Sequence, residues 1–223
     1  MFAAILDMLL EQHGPQAWWP AESRFEIIVG ALLVQRTAWK NAALAIDNLK
    51  RADVLAAERI ADLDLLELQA LVRPAGFFRA KAARLKAIAA FIESVGGVES
   101  LDRERTDTLR ERLLEQPGIG PETADAILGY AFERPVFVVD AYARRLLGRL
   151  GVLGEGSSDR TLRQDCTAAI PSVQKLNELH ALIVVHCQRC CLPVPNCQIC
   201  LLRPRCSHAR SVAVSQPELA VAG

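Results

Sequence analysis

The sequence has few aromatic residues and no excess of charge of either sign. Aromatic side chains make up 5% of the 223 residues, and 26 Lys and Arg are balanced by 26 Asp and Glu. A zero net charge excludes a basic field over the whole protein, although a local basic face is compatible with it. No uncharged apolar run reaches the roughly 18 residues that a membrane span needs. Residues 1–13 also lack the features of a signal peptide, so we expect a cytoplasmic protein that does not enter a membrane.

Helix-forming apolar residues are abundant. Hydrophobic residues, rich in Ala and Leu, make up 51% of the chain, which favours an all-α fold over a sheet. Apolar positions recur with helical spacing, and Ser23 with Glu26 predicts a capping box at the start of one helix. The predicted helices are Phe2–Gln12, a helix from Ser23 through Val34, Lys40–Arg51, Asp64–Val72, Phe77–Ser94, Thr106–Glu115, Pro121–Phe132, Asp140–Leu150, Asp159–Ile170 and Val173–His186.

A glycine-containing turn separates two of these helices. In the segment Leu113–Gly120, Gly118 and Gly120 flank Ile119, and glycine allows a tight turn and a close approach of the backbone to a ligand. The helix that begins at Pro121 presents N–H groups at its start, which favour a phosphate. Taken alone, such a turn is more often an ordinary connection between helices.

The residues around this turn resemble the hairpin of the endonuclease III superfamily, the helix-hairpin-helix DNA glycosylases. The similar residues are 116–125, and Pro135–Asp140 matches the segment that carries the catalytic aspartate of the family. The resemblance implies that the hairpin amides of Gly118, Ile119 and Gly120 bind a DNA phosphate. In the family, hairpin carbonyls often hold a monovalent cation as well.

The resemblance extends from about Trp18 to Cys206 and implies two helical lobes. One lobe would be 23–134 with the hairpin, and the other would combine 1–22 with 135–210, followed by a tail at 211–223 that we predict to be disordered. Damaged double-stranded DNA would bind a monomer in the cleft between the lobes. Such a protein would be associated with the nucleoid.

A glutamine at the end of one helix is also part of the resemblance. Phe25–Thr37 is similar to the family helix that ends in this residue. By that resemblance Gln35 would enter the gap that a flipped nucleotide leaves in the duplex. A polar residue at a helix end is otherwise unremarkable in function.

Six of the seven cysteines lie between Cys187 and Cys206, a clustering typical of a metal site. The spacing C-x6-C-x2-C-x5-C, which suits a [4Fe–4S] cluster, is formed by Cys190, Cys197, Cys200 and Cys206. The pairs Cys187-x2-Cys190 and Cys197-x2-Cys200 also form a four-cysteine zinc pattern. Spacing alone leaves both metals open.

The resemblance favours the iron–sulfur cluster, because in the family the cluster loop follows the last helix of the glycosylase fold. We expect the cluster to have a structural role. Cys191 is an alternative first ligand to Cys190 after a shift of one residue. Cys187 and Cys166 are expected to be ordinary buried thiols.

Two carboxylates carry the expected chemistry. Cleavage of an N-glycosidic bond builds positive charge on the sugar, which the carboxylate of Asp140 would stabilise while it orients a water; Asp140 also has a simpler role as a helix cap. Strand-cleaving members of the family have a lysine two residues after the second hairpin glycine, which forms a Schiff base. Here that position is Glu122, which cannot form an imine. The resemblance therefore implies a monofunctional glycosylase, or an altered site.

The tryptophans match one branch of the family more closely. Trp18, Trp19 and Trp39, with their neighbours, resemble the 3-methyladenine DNA glycosylase III branch, as do Glu122 and the residues that follow it. In that branch these aromatic residues line the base pocket, where stacking and cation–π attraction favour a cationic alkylated purine. Ordinary core packing is the alternative. Members of the branch can lack the cluster, and the pocket lysine of some members has no counterpart that we can place here.

Three functions remain open from the sequence. The first is a monofunctional glycosylase for alkylated bases such as 3-methyladenine. The second is an endonuclease III-like glycosylase for oxidised pyrimidines with weak or absent lyase activity. The third is a damaged-DNA-binding protein that has no catalytic activity.

Overall fold

The computed structural model of the protein describes residues 1–153 and 156–215, and all regular secondary structure in these ranges is helical. The all-α class is therefore confirmed. The α-helices are α1 Phe2–His13, α2 Arg24–Leu33, α3 Trp39–Arg51, α4 Ala57–Asp62, α5 Leu65–Leu71, α6 Phe78–Ser94, α7 Val98–Asp102, α8 Thr106–Leu114, α9 Pro121–Ala126, α10 Ala141–Leu150, α11 Asp159–Ala169, α12 Val173–Arg189 and α13 Ser207–Ser215.

The chain forms two compact units, and the first unit combines the N-terminal segment of the chain with its C-terminal part. This first unit consists of Met1–Trp18 and the chain from Pro135 onward. Its core is formed where α1, α10, α11 and α12 bury their apolar faces. The connector Pro135–Asp140 has no regular structure, and Phe137 at its centre is fully buried.

The second unit is the continuous segment Trp19–Arg134. Its central helix α2 is apolar on almost every face. It packs against α3, α6 and the helical turn Ile127–Ala131 that follows α9. Ser23 caps α2 by accepting a hydrogen bond from the amide of Glu26 (3.1 Å), as predicted. The carboxylate of Glu26 reaches back to the amide of Glu22 (2.9 Å) and also pairs with Lys50 (2.8 Å), which accounts for its burial.

Four helices, with α13 among them, differ from the predicted pattern. The short helices α4 and α7 were not predicted, because five or six residues hold too little periodicity to identify. The helix predicted at 121–132 changes after Ala126 into a π-helical turn at Ile127–Ala131, whose residues are all buried.

Part of the predicted tail at 211–223 belongs to a helix. Helix α13 continues to Ser215, so residues 211–215 are helical; the remainder of the predicted tail, 216–223, lies outside the described residues. The start of α13 is attached to α10, because Ser207 Oγ donates to the carbonyl of Leu150 (3.2 Å). No helix in the described ranges is both long and apolar enough to cross a membrane.

Candidate functional site

The predicted DNA-binding hairpin lies between α8 and α9. Gly118 has a left-handed φ of 79°, whereas Gly120 has an ordinary φ of −92° and caps α9. The amide of Ile119 closes the turn by donating to the carbonyl of Gln116 (3.1 Å), and the Ile119 side chain is buried. Both glycines are exposed, so a ligand can reach the backbone on their side of the turn.

Gln35 is hydrogen bonded to this hairpin. Its Nε2 donates to the carbonyl of Gly118 and to Oγ1 of Thr123, both at 3.0 Å. Its Oε1 accepts from Nη1 of Arg84 (2.9 Å). Entry of Gln35 into a duplex, the role that the resemblance implies, requires these bonds to be released first.

Arg84 is a residue of the hairpin site that sequence reasoning missed. Its guanidinium lies directly against Gly118, where a Cβ atom would come within 2.2 Å of Arg84 Nε. Arg84 comes from α6, 34 residues before Gly118 in the chain, so no local pattern could indicate the contact. The glycine at 118 is thus required both by its φ and by its neighbour.

Two of the three predicted pocket tryptophans form an aromatic cluster. Trp19 meets the rings of Trp39 and Tyr130 edge to face, each at a centroid distance of 5.3 Å. The Trp19 ring lies on Gly30 of α2, where a Cβ would come within 3.1 Å of Trp19 Nε1. Among the described residues this buried indole N–H has no hydrogen-bond partner.

The third predicted tryptophan, Trp18, is partly exposed, whereas Tyr130, which was not predicted, is buried. Trp18 belongs to the first unit and is 37% exposed, the same exposed fraction as Trp39. Tyr130 was missed because it lies in the buried π-helical turn, where the sequence looks like ordinary helix. An aromatic surface at which Trp39 remains partly exposed is suited to stacking against a flat ring.

Asp140 has the geometry of a fixed carboxylate. It caps α10, with Oδ1 accepting from the amide of Ala143 (2.6 Å). Its Oδ2 faces Nε2 of His180 at 3.7 Å, and both residues are 7% exposed. Burial alone would raise the Asp140 pKa, but His180 and the helix amides outweigh it and hold the pKa below its usual value.

His180 is a second residue that the sequence did not identify. It lies on α12, far from Asp140 in sequence, and the predicted role of that helix was only to precede the cysteine loop. Because it faces the carboxylate, His180 helps to keep Asp140 ionised. Glu122, the other predicted carboxylate, is exposed on the first turn of α9.

The cysteine loop surrounds one cavity. Cysteines at the predicted ligand positions line it together with Cys191 and Arg149, and the four predicted ligands are Cys190, Cys197, Cys200 and Cys206. All seven cysteines of the sequence lie in the described ranges, and none of them is in a disulfide. The Sγ atoms of Cys190 and Cys200 and a ring nitrogen of His186 all lie within 4.8 Å of one another.

Helices α1 and α10 hold the loop in place. The guanidinium of Arg149 donates to the carbonyls of Leu192 (2.6 Å) and Pro193 (2.8 Å) and contacts Cys191 Sγ at 3.2 Å. From α1, Gln12 Nε2 donates to the carbonyl of Ile199 (2.9 Å) and contacts the Sγ of Cys190 at 3.6 Å.

The loop disfavours ionisation of some of its thiols. Burial and the neighbouring sulfurs raise the pKa of Cys200 to about 12, and burial raises that of Cys197. Cys191 behaves differently, because a hydrogen bond with Cys187 and the guanidinium of Arg149 lower its pKa to about 6. Burial lowers the pKa of His186 to about 4, so its ring is neutral at physiological pH. A bound metal cation would stabilise such neighbouring thiolates together.

The fold and the hairpin define an all-helical protein of the helix-hairpin-helix type. The family model described as HhH-GPD superfamily base excision DNA repair protein matches residues 29–172. The chain belongs to this superfamily, whose model spans the hairpin, the aromatic residue Trp39 and Asp140.

Individual relatives agree with this assignment. A Methanocaldococcus jannaschii protein provisionally named a DNA repair glycosylase is 43% identical over 210 residues, which cover 92% of this chain and 96% of that protein. The structure of H. pylori 3-methyladenine DNA glycosylase bound to 1,N6-ethenoadenine is similar with a TM-score of 0.70 and 31% identity, over 84% of this chain and 95% of that one.

A trapped endonuclease III–DNA covalent intermediate has the same fold. Its TM-score is 0.76 at 20% identity, and the match covers 95% of this chain and 96% of that chain. Together with the family match, these similarities confirm the predicted superfamily and support a base excision repair DNA glycosylase.

Proposed function

We propose that this protein is a monofunctional DNA glycosylase that hydrolyses the N-glycosidic bond of a flipped alkylated base such as 3-methyladenine. The observation that carries the monofunctional assignment is Glu122 on the first turn of α9, at the hairpin position where a Schiff-base mechanism needs an amine. A carboxylate there leaves hydrolysis as the available chemistry. The enzyme would release the base and leave the sugar–phosphate backbone intact.

Asp140 would provide the charge that this hydrolysis requires. Positive charge develops on the sugar as the base departs, and an ionised carboxylate close to it stabilises the transition state. The Ala143 amide fixes Oδ1, while the lowered pKa keeps the group ionised at neutral pH. The fixed carboxylate would also orient the attacking water.

The aromatic cluster supports an alkylated purine as substrate. A 3-methylated adenine is cationic, and each aromatic face offers it a cation–π attraction of about 0.5–2 kcal/mol. Trp39 and Trp18 are partly exposed, and the buried Trp19 indole N–H, beside Trp39, has no hydrogen-bond partner among the described residues. The similar H. pylori enzyme is a 3-methyladenine DNA glycosylase, which agrees with this choice.

The hairpin would bind duplex DNA beside the lesion. Exposed backbone at Gly118 and Gly120 would meet a phosphate together with the start of α9, and hairpin carbonyls would hold a monovalent cation. The Arg84 guanidinium, which lies against Gly118, adds positive charge at the same place. Gln35 would then leave the hairpin and fill the space of the flipped nucleotide.

The four cysteines fit a [4Fe–4S] cluster as cofactor. Cys190, Cys197, Cys200 and Cys206 line one cavity, and Cys190 rather than Cys191 is grouped with Cys200. Cys191 is instead engaged with Arg149 and Cys187. The cluster would order the loop. Iron and labile sulfide in the purified protein support this assignment, whereas stoichiometric zinc without iron overturns it.

The substrate assignment is tested by base release. Duplexes carrying 3-methyladenine or an oxidised pyrimidine are incubated with the protein and with Asp140→Asn, and free bases are separated by chromatography. We expect release of 3-methyladenine by the wild type. Release of the oxidised pyrimidine alone would favour the endonuclease III-like alternative. If neither protein released a base and both bound damaged DNA equally, the non-catalytic alternative would stand.

Borohydride trapping tests the monofunctional assignment separately. Only an imine is reduced to a stable protein–DNA adduct, so we expect no adduct with the wild type. The matched variant Glu122→Lys restores an amine at the hairpin position and should give an adduct. An adduct with the wild type would contradict the proposal.

A further inference from the structure

Two histidines and a cysteine of the loop form a chain of contacts, in which His13 contacts His186 and His186 contacts Cys200. His186, on the last turns of α12, is fully buried, and its Nε2 lies 3.5 Å from Cys200 Sγ. Its Nδ1 lies 3.0 Å from Nε2 of His13, the last residue of α1. The two rings meet edge to face at a centroid distance of 5.2 Å. Neither histidine has a role in the function proposed above.

The direction of these hydrogen bonds follows from the state of the sulfur. A metal-bound Cys200 is a thiolate and has no proton to donate. His186 Nε2 must then carry the proton and donate it to Sγ. The other nitrogen of a neutral imidazole is an acceptor, so His186 Nδ1 accepts from Nε2–H of His13. Metal binding therefore selects one tautomer for both rings.

Such a bond acts on the electronic state of an iron–sulfur cluster. Hydrogen bonds to the ligand sulfurs are among the factors that set its reduction potential, because they stabilise the more negative, reduced form. The buried position of His186 excludes water, and a hydrogen bond is electrostatically stronger in such surroundings.

We propose that His186 donates a hydrogen bond to the cluster ligand Cys200, and that His13 holds it in the donating tautomer, so that the pair raises the reduction potential of the cluster. This inference rests on the proposed [4Fe–4S] cluster. His186 is a positioning residue outside the metal, because the four predicted ligand cysteines, which all line the cavity, would complete a four-thiolate ligand set.

The test compares the reduction potentials of the intact holoprotein and its variants by protein-film voltammetry, with iron content measured on the same samples. His186→Leu removes the donor and should make reduction less favourable by about tenfold in the equilibrium constant, which is about 59 mV for a one-electron couple. His186→Gln restores an N–H donor and should recover most of the loss. His13→Phe keeps His186 but removes its partner, and should lower the potential by less.

The control is Cys166→Ser, which alters a buried thiol of α11 in the same unit and should leave the potential unchanged. If His186→Leu fails to retain iron, the potential of His13→Phe tests the inference instead. We expect this variant to keep its iron, because His13 is only half-buried and is not a predicted ligand. An unchanged potential in an iron-loaded variant lacking either ring would overturn the inference while leaving the cluster in place. A strong nitrogen hyperfine coupling from a coordinated imidazole would overturn it as well. Zinc in place of iron would overturn the cluster and, with it, the inference.

Discussion

The hairpin at 116–120 and the cysteine loop at 190–206 are both short irregular segments, but their polar groups are satisfied in opposite ways. In the hairpin, the carbonyl of Gly118 and the side chains of Gln35 and Arg84 satisfy one another. In the loop, the sulfurs of Cys190 and Cys200 approach each other, and the neighbouring sulfurs raise the pKa of Cys200. The polar groups of the first segment therefore satisfy one another, whereas the sulfurs of the second disfavour one another's ionisation.

Because of this difference, we expect the hairpin and the cysteine loop to be sensitive to different changes. The hairpin depends on close packing of backbone against a side chain, so a single methyl group should disturb it. If the proposed cluster is bound, the loop depends on thiolates that the metal compensates, so removal of a ligand or of the metal should disturb it more.

The largest effect is expected at the cysteine loop. Cys200→Ser should abolish stoichiometric cluster binding and lower the free energy of unfolding by several kcal/mol, since structural metal binding by thiolates contributes on the order of 10 kcal/mol in small domains. Iron analysis and thermal unfolding measure the two effects. The same change at buried Cys166 should retain iron and cost only about 1–3 kcal/mol. Equal losses in the two variants would mean that the loop needs no metal.

Next in size is the loss of base release in Asp140→Asn. The amide keeps the cap geometry but removes the negative charge, so kcat should fall by about 10²–10³-fold. Single-turnover base release measures this change, and DNA binding by gel shift should be retained. A variant with unchanged kcat would place the catalytic charge elsewhere.

A pair of alanine variants separates packing from DNA contact in the hairpin. Gly118→Ala should destabilise the protein by about 1–2 kcal/mol from its left-handed φ alone, and it forces Arg84 away from Gln35 because the new Cβ overlaps the guanidinium. Denaturant unfolding measures the loss.

Gly120→Ala is the matched control, with an ordinary φ and nothing within 4 Å of the added Cβ. Its stability should be unchanged, while its DNA affinity should fall if the backbone meets a phosphate there. Unchanged affinity in Gly120→Ala would move the phosphate contact away from this residue.

The smallest effect is expected from His180. Because His180 helps to hold the Asp140 pKa below its ordinary value of 3.8, the ionised carboxylate stabilises the fold above the unfolded-state pKa, and this contribution is lost as pH falls through the folded value. His180→Phe leaves only the helix amides to oppose burial and therefore raises the Asp140 pKa. The acid limb of kcat should therefore move to higher pH, with a severalfold loss at mildly acidic pH and little change near neutrality. His180→Gln should shift the limb less, and superimposable pH profiles would exclude this role.

Local rules predicted most of the helices but few of the contacts between them. Ser23 was identified as a cap because its partner Glu26 is three residues away, and Asp140 for a similar reason. The π-helical turn was missed, since Ile127–Ala131 has the composition of ordinary helix. The roles of the predicted site residues stay predictions.

Long-range partners were not predictable from one sequence. Arg84 reaches Gln35 across 49 residues, and His13 reaches His186 across 173. A single arginine or histidine on a helix is compatible with many structural roles. Its contact partner is determined by tertiary packing, which the periodicity of the sequence does not indicate. Cys190, Cys197, Cys200 and Cys206 could be proposed as ligands because their spacing is local and matches the cluster loop of the family, and their ligand role stays a prediction.

The packing of α1 against α12 has a consequence for the order in which the protein is made. Helix α1 is synthesised before the helices that bury its apolar face, α11 and α12, which follow more than 140 residues later. The segment Trp19–Arg134 can fold in the meantime as a continuous unit, while α1 waits with its apolar face uncovered. Because Gln12 contacts Ile199 in the cysteine loop, the end of α1 and that loop are ordered together, and a chain that stops before α11 would leave the apolar face of α1 uncovered.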